Sequence, residues 1–152
     1  MKLKTAVVAY VLAMLVLPGV LHAQTRDIKT EEANKKLVIN FYQSFFGDHD
    51  MSVLEKYVDP NYIQHNPSVA DGRDALANVA KGWFASAPKG KVDIRQAAAD
   101  GDLVWLHLKA QYGPGPAISL VDIFRVKDGK IVEHWDIAQQ VPDKAANPHP
   151  MF

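Results

Sequence analysis

The segment from Val121 to Asp136, VDIFRVKDGKIVEHWD, decides the fold, because its pattern predicts two β-strands that fold back on each other at residues 127–129. Three ionisable residues, Asp122, His134 and Asp136, interrupt strands that are otherwise largely apolar. A carboxylate in a buried strand is costly unless it is paired, protonated or used in chemistry. Several such groups in one hairpin therefore indicate a functional site.

The turn between the two strands decides which side chains share a face. A two-residue loop would place Asp122 opposite Trp135 and would send Asp136 to the other face. A three-residue turn that ends in a left-handed bulge at Gly129 would place Asp122 opposite His134, with Asp136 on the same face. We prefer this second register because it separates apolar from ionisable residues, whereas a slip of one residue would mix the two faces.

The N-terminal segment 1–23 predicts a signal peptide. Lys2 and Lys4 precede an apolar run, Ala6–Leu17, which is short for a membrane span, and residues 21–23 offer a cleavage site. An uncleaved N-terminal anchor is the alternative. We therefore expect a periplasmic or secreted protein that has no stable membrane association after cleavage.

The remaining segment, 24–152, has the length of one domain. The chain has 17 basic and 17 acidic residues, so that loss of the two N-terminal lysines leaves the domain slightly acidic. This balance suggests neither a nucleic acid nor an anionic membrane as partner. The chain has no cysteine, so an exported domain must be stabilised by its core without disulfides.

Helical spacing of apolar residues dominates the first half of this domain, and strand patterning dominates the second. The pattern predicts a first helix from Thr30 to Gly47, a second that ends before Pro60 and a third over residues 73–87, with a short extended piece at 62–66. Four strands follow. Helices followed by a β-meander predict an α+β fold in which three helices cover one face of the sheet.

The other face of the hairpin is apolar in the preferred register and carries Val121, Ile123, Ile131, Trp135 and Ile137. Such a surface implies a partner. The C-terminal tail, residues 141–152, could cover it. We expect instead a homodimer that forms sheet to sheet through this outer face.

Several short motifs resemble those of a known family. They are residues 62–67 (YIQHNP), 71–72 (DG), 133–136 (EHWD) and 146–152 (ANPHPMF). With the order of elements, they resemble the SnoaL-like branch of the nuclear transport factor 2-like (NTF2-like) superfamily over nearly all of segment 24–152. The resemblance implies a cone-shaped α+β fold, in which three N-terminal helices pack on a curved, mostly antiparallel sheet and enclose a pocket.

The resemblance also implies a range of activities. SnoaL-like members include polyketide cyclases, which close rings by intramolecular aldol condensation without cofactor or metal. Their acid/base is an aspartate late in the sheet, which corresponds to Asp136. Related cone folds include steroid isomerases, dehydratases, epoxide hydrolases and non-catalytic binders, so the fold does not settle the function. Export sets this chain apart from intracellular polyketide biosynthesis.

Three residues are the predicted catalytic groups. Asp136 is the first candidate for general acid or base, because a positioned carboxyl group in an apolar pocket can transfer protons near neutral pH. Asp122 could divide acid and base roles with it, or could be a solvated carboxylate. His65 could relay a proton or bind a carbonyl oxygen, or could be a loop histidine that bonds to backbone.

Four more residues are predicted to bind the substrate: Asn66, Trp83, His107 and His134. Trp83 could also be core, and His134 could simply satisfy Asp122. No motif such as His-Glu-x-x-His is present, so we expect no metal. The resemblance implies that no cofactor is needed. Two hypotheses follow: a cofactor-free enzyme that acts on a small, largely apolar carbonyl compound by aldol cyclisation or isomerisation, or a small-ligand-binding protein without chemistry.

Overall fold

The computed structural model describes residues 26–111 and 114–152, so the predicted signal peptide lies outside the described residues. In that part of the chain, no helix combines the length and the apolarity needed to cross a membrane. The elements are α1 (Ile28–Tyr42), which a π-helical segment (Gln43–Gly47) continues, α2 (Val53–Tyr57), β1 (Val58–Gln64), α3 (Arg73–Ser86), β2 (Asp93–Asp100), β3 (Leu103–Ala110), β4 (Ile118–Lys127) and β5 (Lys130–Gln140).

The five strands form one mixed sheet in the order β1-β5-β4-β3-β2. Strand β1 runs parallel to β5, and the other pairs are antiparallel. The prediction of an α+β fold with helices on a mostly antiparallel sheet is confirmed. The prediction of four strands is wrong by one. The strand that was not predicted is β1, which includes Pro60 and Asn61, and these residue types are rare in strands. Proline is tolerated there because β1 lies at the sheet edge.

Both ends of α1 depend on individual residues. The helix begins before the predicted Thr30, because the side chain of Asp27 caps it by accepting a hydrogen bond from the backbone nitrogen of Thr30 at 3.1 Å. At the other end, the predicted stop at Gly47 is confirmed. A Cβ atom on Gly47 would lie 2.6 Å from the carbonyl oxygen of Gly90, so this close approach requires glycine.

The turn between β4 and β5 is a two-residue loop, so the predicted three-residue turn is wrong. Asp128 and Gly129 both have positive φ, 51° and 74°, and Lys127 pairs with Lys130 across them. Positive φ at both central residues is the geometry of a type I′ turn, for which Asp-Gly is a preferred sequence. This local preference outweighs the face-separation argument that favoured the longer turn.

A β-bulge beside the turn restores the separation of the faces. Val132 is the extra residue on β5, because the pairing resumes beyond it with Arg125 opposite Glu133. Asp122 consequently pairs with Asp136 rather than with the predicted partner two residues earlier. The two aspartates therefore share a face, as predicted, although neither the turn nor the exact register is the predicted one.

The inner face of the sheet and the three helices enclose the core. Its largest fully buried side chains are Phe41, Phe45, Leu106, Leu108 and Ile131. The prediction that Ile131 lies on the outer face is wrong, because the bulge at Val132 reverses the alternation on this part of β5.

The outer face of the sheet is partly covered by the end of the C-terminal tail. Ser119 donates a hydrogen bond to the carbonyl oxygen of Met151 at 3.2 Å. The Phe152 ring lies 5.5 Å from the Arg95 guanidinium and 5.3 Å from the Lys109 ammonium. The tail thus covers the β2–β4 side of the outer face, while Ile137 on β5 remains 60% exposed.

Candidate functional site

Three ionisable side chains meet on the inner face of the sheet. Asp122 and His134 are 4% and 8% exposed, and Asp136 is half-buried. Asp122, His134 and Asp136 each offer a ligand atom within 4.8 Å of the others, so among the described residues this set has the spacing to hold a metal ion. We call these three residues the acidic cluster.

Inside the acidic cluster, only one of the two carboxylate oxygens of Asp122 has a hydrogen-bond partner among the described residues. Its Oδ1 lies 3.0 Å from Nε2 of His134. Its Oδ2 is buried and has no hydrogen-bond partner among the described residues. Buried carboxylate oxygens are rarely left unpaired, since an unmade bond leaves the cost of desolvation uncompensated. This atom is therefore the place where a ligand could supply a missing hydrogen bond.

Alternate residues of β1 and its continuation hold the acidic cluster. Gln64 Oε1 lies 2.9 Å from His134 Nδ1, and Gln64 Nε2 donates to the Tyr62 hydroxyl at 3.0 Å. Asn66 Nδ2 donates to Asp136 Oδ2 at 2.6 Å. Side chains alternate between the two faces of an extended chain, so Tyr62, Gln64 and Asn66 lie on the same face.

Burial raises the pKa of Tyr62, and the nearby charges of Asp122 and Asp136 raise it further. The phenol therefore stays neutral at physiological pH and keeps its proton. Because the Tyr62 oxygen already accepts a bond from Gln64, its hydrogen can be donated elsewhere.

The sequence comparison decides the family. Residues 36–146 match the family model described as SnoaL-like polyketide cyclase. The chain belongs to this family. No curated protein matches the chain.

Solved structures of SnoaL-like and NTF2-like proteins share the fold. TsrD from Streptomyces laurentii is 20% identical, with 70% of this chain and 88% of that chain covered and a TM-score of 0.57. An NTF-2 like protein of unknown function from Burkholderia xenovorans LB400 is 19% identical (76% and 90% covered, TM-score 0.61). A candidate ketosteroid isomerase from Kribbella flavida DSM 17836 is 13% identical (77% and 85% covered, TM-score 0.61). The predicted NTF2-like cone is confirmed, and at these identities the likeness concerns the fold alone.

In this SnoaL-like protein, the predicted catalytic residue His65 lies away from the acidic cluster. Its Nε2 lies 2.8 Å from Glu133 Oε1, and its ring stacks on Trp135 with 4.6 Å between centroids. Both contacts are on the outer face. The alternation along the chain explains this position, because His65 lies between Gln64 and Asn66, which point inward.

Two predicted binding residues of the SnoaL-like domain also lie outside the cluster. His107 is on the outer face of β3, where its Nε2 lies 2.9 Å from Ser119 Oγ. Trp83 on α3 is 40% exposed, and its ring stacks on that of Phe46 at 6.4 Å. The structure thus brings Asp122, Asp136, His134 and Asn66 together. His107 and Trp83 lie elsewhere.

The sequence reasoning missed Tyr62 and Gln64. The signal was available, because both residues lie an even number of positions from Asn66 and therefore share its face in an extended chain. The same count places His65 on the opposite face.

Proposed function

We propose that this protein catalyses proton transfer on a small, largely apolar carbonyl compound, without a cofactor, by isomerisation or aldol cyclisation. The observation that carries the proposal is the unpaired buried Oδ2 of Asp122, which lies in the acidic cluster beside Asp136. A buried polar atom without a hydrogen-bond partner is typical of a site that binds a ligand.

The surroundings of the acidic cluster suggest the substrate class. The Phe124 ring lies 4.8 Å from the His134 ring, and Tyr62 stacks on the same imidazole at 6.4 Å. Leu106 pairs with Asp122 from β3 and is fully buried. Apolar walls with a few polar groups favour an apolar molecule that carries one or two oxygens.

Asp136 is the proposed base. Its Oδ2 is held by Asn66, and its partial exposure leaves it accessible to a ligand. It takes a proton from the carbon beside the carbonyl, and the C–H electron pair forms the enolate. In isomerisation, the protonated Asp136 returns that proton to the far carbon of the shifted double bond. In cyclisation, the enolate carbon bonds to a second carbonyl carbon, whose oxygen takes the proton.

The remaining polar groups are proposed to bind oxygen atoms of the substrate. Tyr62 keeps its proton and can donate to an enolate oxygen, and Asp122 Oδ2 can accept from a hydroxyl group. Donors aimed at developing charge in a desolvated site are an effective form of transition-state stabilisation. A metal is not required by this scheme.

The experiment is exchange of α-protons in deuterium oxide, measured by NMR, with two probes: a cyclic monoketone and a β,γ-unsaturated cyclic ketone. Asp136→Asn should lower the exchange rate by roughly a hundred- to ten-thousand-fold, the usual contribution of positioned proton transfer. Asp143→Asn, which changes an exposed carboxylate in the tail, is the matched control. A metal chelator should leave the rate unchanged. Full activity of Asp136→Asn would overturn the proposal.

The second candidate is a small-ligand-binding protein without chemistry. It is favoured by the same Asp122 Oδ2, because that atom needs a hydrogen-bond donor and not a reaction. Saturable binding of a probe that undergoes no exchange with the wild-type protein would favour this candidate over catalysis.

We also propose that the protein is exported to the periplasm or secreted, with cleavage near Gln24. Support comes from Lys2, Lys4 and the following apolar run. Intact-mass measurement on the cell-envelope and medium fractions tests this. A full-length chain retained in the membrane would contradict it.

A homodimer through the outer sheet face is the proposed assembly. Support comes from the apolar side chains that the C-terminal tail leaves accessible there: Ile63 is 47% and Ile137 is 60% exposed, beside the half-buried Trp135. Exposed apolar groups that cluster on one face favour a protein partner.

A further inference from the structure

We infer that Gln64 is a positioning residue that decides which ring nitrogen of His134 carries a proton. It thereby determines the proton content of the His134–Asp122 pair. The consequence for catalysis rests on the proposed function, whereas the position of the proton is measurable without any turnover.

The first step is the orientation of the Gln64 amide. The backbone N–H of Asn66 donates to Gln64 Oε1 at 2.9 Å. A backbone N–H can only donate, so the side-chain atom that faces it must be the oxygen. The amide nitrogen then faces the Tyr62 hydroxyl at 3.0 Å, where it donates. The contact with the Asn66 backbone thus excludes the flipped amide.

The second step is the imidazole. His134 Nδ1 lies 2.9 Å from the same Gln64 Oε1. An amide oxygen can only accept, so Nδ1 must carry a proton to make this bond. A neutral imidazole has a single N–H, and its Nε2 is then a bare acceptor.

The third step is the contact at the other nitrogen. His134 Nε2 lies 3.0 Å from Asp122 Oδ1, and a hydrogen bond there needs one more proton. Either the Asp122 carboxyl group donates it to a neutral His134, or a doubly protonated His134 donates to an ionised Asp122. The pair has no net charge in either arrangement. Without the acceptor on Gln64, a neutral imidazole could place its single proton on Nε2, and the pair would be negative.

This proton content matters beside Asp136, which lies in the same acidic cluster. A negative His134–Asp122 pair would oppose the charge that develops on an enolate oxygen. A pair without net charge does not. Gln64 touches neither substrate nor base in this scheme; it acts through His134.

The experiment is NMR of the imidazole nitrogens in protein labelled at histidine, with the His134 signals assigned by their loss in His134→Gln. In the wild type at neutral pH, His134 should be protonated at Nδ1. In Gln64→Leu, the neutral ring should shift to the form protonated at Nε2. Gln64→Glu retains an acceptor oxygen and should restore the Nδ1 proton. Gln96→Leu, at an exposed strand glutamine, should change nothing.

A wild-type ring protonated only at Nε2 would overturn the inference, as would an unchanged Nδ1 proton in Gln64→Leu. If Gln64→Leu does not fold, the wild type and Gln64→Glu decide, because an Nδ1 proton in both supports the inference and its absence in either overturns it. In the exchange assay, Gln64→Leu should lower kcat by roughly tenfold or more with little change in KM.

The two proposals fail separately. If no probe exchanges its α-protons, the proposed function fails, and the NMR result still decides the role of Gln64. If Asp136→Asn abolishes exchange but the ring of His134 is protonated only at Nε2, the function stands and the inference about Gln64 fails.

Discussion

Asp122 on β4 pairs directly with Asp136 on β5. Like charges directly opposite each other destabilise a strand pair, so this arrangement needs compensation. Each aspartate has its own partner: His134 lies 3.0 Å from Asp122, and Asn66 donates to Asp136 at 2.6 Å. Because each partner offsets part of the repulsion between the two carboxylates, loss of either partner should be measurable.

Asn66→Ala should lower the exchange activity, but by less than Asp136→Asn. The substitution removes the donor that holds Asp136 Oδ2, and a hydrogen bond to a charged group contributes about 1.5–3 kcal/mol, or roughly ten- to a hundredfold in rate. Asn61→Ala is the control, because Asn61 is an exposed asparagine on β1, the strand that precedes Asn66. Equal activity of the two variants would contradict a role for Asn66.

His134→Leu should destabilise the fold by roughly 3–5 kcal/mol, because removing one partner of a buried pair leaves the other uncompensated. The double variant Asp122→Leu/His134→Leu should lose much less than the sum of the two single variants. Urea denaturation measures all four proteins. Strictly additive losses would show that the two side chains do not act as a pair.

Glu133→Gln should make stability less sensitive to acid. Hydrogen bonds from Arg125 at 2.7 Å and, secondarily, from His65 hold the pKa of Glu133 below its ordinary value of 4.5. A depressed pKa adds stability that is present above 4.5 and is lost as the pH falls through the folded-state value.

The difference in urea midpoint between wild type and Glu133→Gln should therefore be largest at neutral pH and should shrink below about pH 4. A difference that does not change with pH would contradict the assignment of this ion pair.

Trp135→Glu should shift the protein from dimer to monomer. Trp135 lies on the outer face between exposed Ile137 and the stacked His65 ring, where a carboxylate would be desolvated in a sheet-to-sheet dimer. Trp83→Glu, at a 40% exposed tryptophan on α3, is the control and should stay dimeric. Light scattering checks both. A wild-type protein that is monomeric at high concentration would rule out the proposed dimer.

The sequence by itself determined those features that depend on neighbouring residues. Apolar spacing located the third helix within one residue of its observed range, Arg73–Ser86, and the clustering of Asp122, His134 and Asp136 identified the hairpin that carries the acidic cluster. The motifs identified the family and hence the cone fold. These signals are local because helix periodicity, turn chemistry and hydrophobic alternation act over a few residues.

Only the tertiary structure decided the register and the partners. The bulge at Val132, and not the turn, brings Asp122 opposite Asp136, and no local signal specifies where an extra residue is left unpaired. The parallel pairing of β1 with β5 brings Gln64 to His134 across 70 residues of chain. Such contacts depend on how distant strands pack together, because they join residues that are far apart in the sequence.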